Sequence, residues 1–416
     1  MKILIINQPH SNYGDLAAHR SLVRSLETAF PEAQISVLFL AANSENIEKM
    51  NVTRASYITL SGHGGRFVKI AKMVFFLNSF RFFSKAIWAL SAFYPDIKKT
   101  ITKVKDADYV ISAPGGICMG SFQSWSHIFF LEIATHCRKK IAYYSRSWGP
   151  FPDHDFWQKK FKKVSLNLLR SFDFHSIRDA KTMKIADKLG LSYIPAIDTV
   201  FLDQPRTKVP QEILSWIDES PYTIFVPNTL VWHREYRTAS IQTIRTFYLD
   251  IIRLLLKDRP HEKILMLPQL YARGISGDET YFRELEQELN DDRVFVVSDK
   301  HCSDVQQTII SKARLVIGAR YHSIVFALNN CVPFISLSYE HKMTGLLEIL
   351  GKMDCSVDIT SFARNAFDSD KSLAKIALLI NSVEPDSVAR EKAHQIAQHC
   401  MDELIKKMDE TNVSNT

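Results

Sequence analysis

Between Leu315 and Ile349 two short apolar runs each end in a polar loop that opens a helical pattern, and those loops carry Arg320, His322 and Lys342. Arginine presents a planar fork that grips phosphate or carboxylate, lysine adds a point charge, and histidine gives or takes a proton near neutral pH. Two consecutive strand ends would aim the three side chains at one rim, a set suited to an anionic substrate and proton-assisted bond cleavage. Arg178, followed by Asp179, offers a second guanidinium, or else an ordinary surface ion pair with its neighbour. Asp15 follows the first apolar run on a polar loop; it is a carboxylate able to orient or deprotonate a hydroxyl, and equally the residue type that N-caps a helix. Gly14 and the pair Gly115-Gly116 let backbone approach a ligand closely, or simply turn tightly. Taken alone, His322 reads as a plain helix-start residue and Lys342 as a solvated one.

These residues need a scaffold that delivers strand ends to a common edge. Runs at Lys2–Ile6, Ile35–Leu40, Tyr109–Ser112, Lys140–Tyr144, Phe172–Ile177 and Tyr193–Ile197 alternate with segments long enough for crossover helices, which predicts a mostly parallel α/β sheet. The first such helix places Leu22, Val23, Leu26, Ala29 and Phe30 on one stripe and stops at Pro31. The pattern weakens between Asp198 and Tyr222, where Pro205, Pro210 and Pro221 interrupt polar sequence. A second alternating series follows, with strands expected at Thr223–Val226, Lys263–Leu267, Val294–Val297, Leu315–Ile317, Phe334–Leu337 and Ser356–Ile359. Residues 1–205 and 206–416 are therefore expected as two Rossmann-like domains facing a cleft, with the last helix, Val388–Lys407, reaching back to the first domain.

Composition narrows the function classes. The chain has 416 residues, 46% hydrophobic and 23% charged, with ordinary glycine and proline content, which excludes a disordered or low-complexity protein. A net charge of +7 over this length, with the basic residues dispersed, argues against nucleic-acid binding. Six scattered cysteines without a CxxC pair read as reduced thiols, and no metal site is expected. The opening MKILIINQP is too short an apolar run for a signal peptide, so a cytoplasmic location is expected.

The ordered motifs carry a resemblance. Arg320-Tyr321-His322 before an Ala-Leu helix, then Tyr339-Glu340-His341-Lys342 after a proline-led strand, is similar to the polysaccharide pyruvyl transferase family. Asn12-Tyr13-Gly14-Asp15, Pro114-Gly115-Gly116, Ser147-Trp148-Gly149-Pro150, Ser176-Ile177-Arg178-Asp179, Asp198 and Leu267-Pro268-Gln269 with Asp278 appear in the order the family would place them, over roughly residues 3–350. Pro114-Gly115-Gly116 departs from a more usual three-glycine run. The resemblance implies a GT-B-like fold and transfer of pyruvate from phosphoenolpyruvate onto two hydroxyls of a sugar, giving a cyclic ketal in a surface polysaccharide or its precursor. It implies a donor site of Arg178, Arg320 and His322, the first two brought from opposite domains; Lys342 joins them as a further donor contact. His322 is then the general acid, Asp15 the acceptor-side carboxylate, and no cofactor is needed beyond the donor substrate. The acceptor would be a sugar, oligosaccharide or lipid-linked glycan.

Aromatic residues between Phe67 and Phe93 are interleaved with Lys69, Lys72, Arg81 and Lys85. Such a stretch can lie on an anionic membrane as a peripheral helix, or pack on the N-terminal sheet. A glycosyltransferase using a nucleotide sugar and a non-catalytic glycan-binding protein are the competing functions, since the same cations would hold a diphosphate.

Overall fold

The computed structural model describes residues 1–9, 12–40, 55–60, 69, 91–120, 122–217, 220–231, 233–271, 277–298 and 301–415. Apolar, β-branched runs with most of their residues buried form two parallel sheets, as expected where helices cover both faces. The first contains β1 (Lys2–Ile6), β2 (Gln34–Leu40), β3 (Ser56–Leu60), β4 (Tyr109–Ser112), β5 (Lys140–Arg146), β6 (Phe174–Ile177) and β7 (Ile194–Pro195), in the order β3-β2-β1-β4-β5-β6-β7. The second contains β8 (Tyr222–Val226), β9 (Lys263–Met266), β10 (Val294–Val296), β11 (Leu315–Gly318), β12 (Phe334–Ser338) and β13 (Ser356–Asp358), ordered β10-β9-β8-β11-β12-β13. In each, the strand order doubles back beside the first strand, at β1–β4 and at β8–β11, so that crossovers leave to both sides.

Two compact units result. One comprises Met1–His10, Ala18–Leu202 and Ile396–Thr416; the other comprises Ser11–Ala17 and Asp203–Gln395. The core of the first packs Leu4, Ile6, Val110, Ile141 and Tyr143 of the sheet against Ile128, Phe129, Leu131, Phe161 and Leu168 from helices. The helix Ser387–Asn415 begins in the second unit and ends in the first, where burial pushes the Cys400 thiol up to about 12 against opposing hydrogen bonds with Ser176 and Tyr144.

Two sequence expectations change, and a third falls where it is not tested. The first helix starts at Tyr13, so Asp15 sits inside its first turn and not on the preceding loop, because Gly14 and Asp15 adopt helical backbone one turn earlier than the apolar stripe signals. Strand β3 and the helix Gln211–Ile217 form where the sequence pattern gave neither. The stretch 67–93 lies, apart from Lys69 and residues 91–93, outside the described residues. No helix among the described residues is long and apolar enough to cross a membrane.

Candidate active site

In the second unit, β11 ends at Gly318 and the chain turns at once into the helix Tyr321–Asn329, with Arg320 as its N-cap residue and no side chain capping the first turn. A helix start without a side-chain cap favours an anion, and Arg320 and His322 stand at this one. Both side chains are buried, at 6% exposure each. The Arg320 guanidinium pairs with the Asp278 carboxylate. Burial alone would lower the pKa of Arg320, but Asp278 and Tyr339 reverse this and hold it above the ordinary value. Asp278 opens the helix Asp278–Leu289, and its second oxygen accepts from the backbone amides of Gln269 (3.0 Å) and Leu270 (2.8 Å). The carbonyl of Gln269 in turn accepts from the amide of Tyr13 at 2.9 Å, which ties the first turn of the Tyr13–Ala29 helix to the same constellation. Tyr13 stacks on His301 with rings 5.3 Å apart and packs on Tyr271 at 4.7 Å.

Gly14 belongs here for a steric reason. A β-carbon on it would stand 1.8 Å from Cγ and 2.0 Å from Nδ1 of His322, so only glycine lets the imidazole lie against this helix turn. Asp15 is its chain neighbour, and residues 11–17 cluster with the second unit. That corrects the sequence reading, which put Asp15 on the first domain's rim and explained Gly14 by a turn or a ligand; Gly14 is not among the positive-φ glycines.

The next strand end repeats the device. The helix His341–Leu350 follows β12 with Glu340 as an N-cap residue that makes no capping bond. Lys342 pairs with Glu340 at 2.6 Å and lies 5.6 Å from the Tyr321 ring, so it is neither freely solvated nor a bare cation. Burial pushes the Glu340 carboxyl up, but Lys342, Tyr339 and His233 outweigh this and keep it below its ordinary value. Tyr236 donates to the Tyr339 carbonyl at 2.5 Å and braces the loop.

In the first unit, Arg178 follows β6 and is buried, paired with Asp198; Asp198 also accepts from the Val200 amide at 3.1 Å. The surface pair Arg178–Asp179 does not form, because Asp179 caps the helix Ala180–Lys188 by accepting from the Thr182 amide at 2.9 Å. Gly115 and Gly116 follow β4 without a positive φ, so turn geometry does not require them. Gly115 instead leaves room for a guanidinium: a β-carbon there would stand 3.1 Å from Nη1 of Arg146. Ser147-Trp148 docks on the neighbouring helix through Thr182, and the Trp148 indole donates to His175 at 3.0 Å.

The second unit thus gathers Gly14, Arg320, His322 and Asp278, with Lys342 on the following loop; Arg178 and Gly115-Gly116 stand in the first. Sequence reasoning did not identify Asp278 and Asp198 as ion-pair partners, nor Arg146 at all, since no local spacing links them to the residues they serve. Cavities of about 460 Å³ and 410 Å³ in the first unit open at the amino-terminal rim of its sheet, beside Phe174 and Ile194 and beside Lys2 and Ile35, away from these strand ends. Among the described residues no cluster of three His, Cys, Asp or Glu could hold a metal ion.

The chain is 21% identical over 398 residues to the amylovoran biosynthesis protein AmsJ of Erwinia amylovora, covering 87% of this chain and 89% of that protein. Its fold resembles a putative UDP-N-acetylglucosamine 2-epimerase of Listeria monocytogenes (TM-score 0.57, 9% identity, 100% and 97% of the two chains). It likewise resembles a ugt transferase of Siraitia grosvenorii in complex with UDP (TM-score 0.57, 12% identity, 99% of each chain). These neighbours make the architecture an α/β fold of two Rossmann-like domains, GT-B-like. The profile described as Polysaccharide pyruvyl transferase matches residues 12–341, and the chain belongs to that family.

Proposed function

We propose that the protein transfers pyruvate from phosphoenolpyruvate to two hydroxyls of one sugar in an extracellular polysaccharide or its precursor. The observation that supports this best is the pairing of a buried guanidinium and a buried imidazole at the uncapped start of the helix Tyr321–Asn329. Phosphoenolpyruvate carries a carboxylate and a phosphate a few bonds apart, and helix amides with Arg320 suit one of them. His322 is the acid beside the bridging oxygen as the carbon–oxygen bond breaks and positive character builds at C2. The two acceptor hydroxyls bond to C2; of their protons, one ends on C3, turning the methylene into a methyl group, and one leaves with phosphate. Asp15, next to Gly14, is the carboxylate we assign to orienting the acceptor, and Lys342 is a further donor contact. Incubation with phosphoenolpyruvate and a panel of β-galactosides, glucosides and mannosamine-containing acceptors should release phosphate and yield a pyruvylated acceptor. Protection against heat by a nucleoside diphosphate and none by phosphoenolpyruvate would overturn this in favour of a nucleotide-sugar enzyme.

A further inference from the structure

Arg146 ends β5 with its side chain fully buried, and no carboxylate among the described residues pairs with it. Its guanidinium donates only to neutral acceptors: the Asn7 carbonyl at 3.0 Å, the Gly116 carbonyl at 3.4 Å and the Cys118 sulfur at 3.5 Å. Its Nε has no hydrogen-bond partner, and neither has the hydroxyl of Ser147, which is also buried. An enclosed cation without an anion is costly, and Arg178 and Arg320 both avoid that state.

The backbone is shaped to hold it. The β5–β6 register shifts between Tyr143 and Arg146, a device that re-aims a side chain, and Ser145 takes a left-handed φ of 45°. Ser145 is fixed there by its amide donating to the Ser176 hydroxyl (2.8 Å) and its hydroxyl donating to the Ile197 carbonyl (2.7 Å). Asn7, which accepts from Arg146, has a φ of 61°. Asn7 follows β1, Gly115–Cys118 follow β4, Arg146 closes β5 and Ser147 follows it, so every group stands at the carboxyl end of adjacent strands, where the order reverses between β1 and β4. Open α/β sheets bind ligands at that point.

We propose that this edge of the first unit is an anion subsite, with Arg146 as the residue that supplies its charge. On the transferase reading above, on which the identity of the ligand rests, its occupant is a carboxylate or phosphate carried by the glycan acceptor. Arg146 acts from beneath the 115–118 loop as a positioning residue, its field weakly screened by the surrounding low dielectric.

The test is a thermal-shift titration of the full chain with methyl β-D-glucuronide, methyl β-D-glucoside and inorganic pyrophosphate. An anionic probe should stabilise the wild type, R146Q should weaken that effect roughly 10- to 100-fold, the loss of a buried charge whose field is weakly screened, and R146K should restore most of it. The response to the glucoside should be the same in all three proteins. Arg146-dependence for the glucuronide assigns a uronate, and for pyrophosphate a diphosphate; dependence for neither overturns the proposal. Should R146Q fail to fold, hydrogen exchange on the wild type decides: the effective anion must slow exchange across 113–118, and unchanged exchange refutes the subsite. Phosphoenolpyruvate titrated against the wild type reports separately on the transferase reading, whose failure would leave the anion result standing.

Discussion

Gly14 and His322 make opposite predictions for two single substitutions. His322→Gln keeps the volume and removes the proposed proton donor, so turnover with phosphoenolpyruvate should fall about 10²- to 10⁴-fold while the urea midpoint stays near that of the wild type. Gly14→Ala leaves the imidazole chemistry intact yet drives a methyl to 1.8 Å from the ring. The ring must move, at a cost of about 1–3 kcal/mol in stability, and activity falls with it. Steady-state rates and urea unfolding of both variants check this; an active, wild-type-stable G14A would show that the ring does not need its present seat.

At the scale of elements, Asp278 joins three pieces: the start of its own helix, the 269–270 backbone and Arg320 at the end of β11. Asp278→Asn leaves a buried guanidinium without its counter-charge, and unfolding free energy should drop by about 3–5 kcal/mol; urea titration measures it, and a loss under about 1 kcal/mol would mean that the pair is dispensable. The elements themselves were legible where apolar runs are unbroken. Lys2–Ile6 and Tyr109–Ser112 lie where the sequence placed them, because a strand buried on both faces admits few polar residues. Ser56–Leu60 hid because it alternates Ser, Tyr and Thr with only two aliphatic residues at the sheet edge. Arg320 and His322 were legible from their motif, whereas their environment was not: Asp278 is 42 residues from Arg320 and Asp198 is 20 from Arg178, so only folding brings the acids in. Gly14 was noticed but misread, since a steric partner more than 300 positions along the chain leaves no local trace.

For the whole molecule, buried histidines set the response to acid. Burial pushes His19 down to about 3, His175 to about 4 and His127 well below its ordinary value. His175 accepts from the Trp148 indole through Nε2, an atom a proton would occupy. Their folded values lie below the unfolded value of about 6.5, so below that pH the unfolded chain binds protons the folded chain refuses. Stability therefore falls as pH falls, by up to about 1.4 kcal/mol per pH unit for each histidine. Glu132 opposes them: burial raises it to about 7, so between about 4.5 and 7 its contribution weakens as pH rises. Three groups outweigh one, and urea midpoints should decline from pH 6.5 to pH 5; a flat or rising series would contradict the assignment.

The split ownership of the helix Ser387–Asn415 bears on biosynthesis. A ribosome would finish the strands and crossover helices of the first unit long before translating residues 396–416, which complete it. Until those residues leave the exit tunnel, the apolar seat of Cys400, Met401 and Leu404 stays open on the nascent chain, a surface that chaperones would guard.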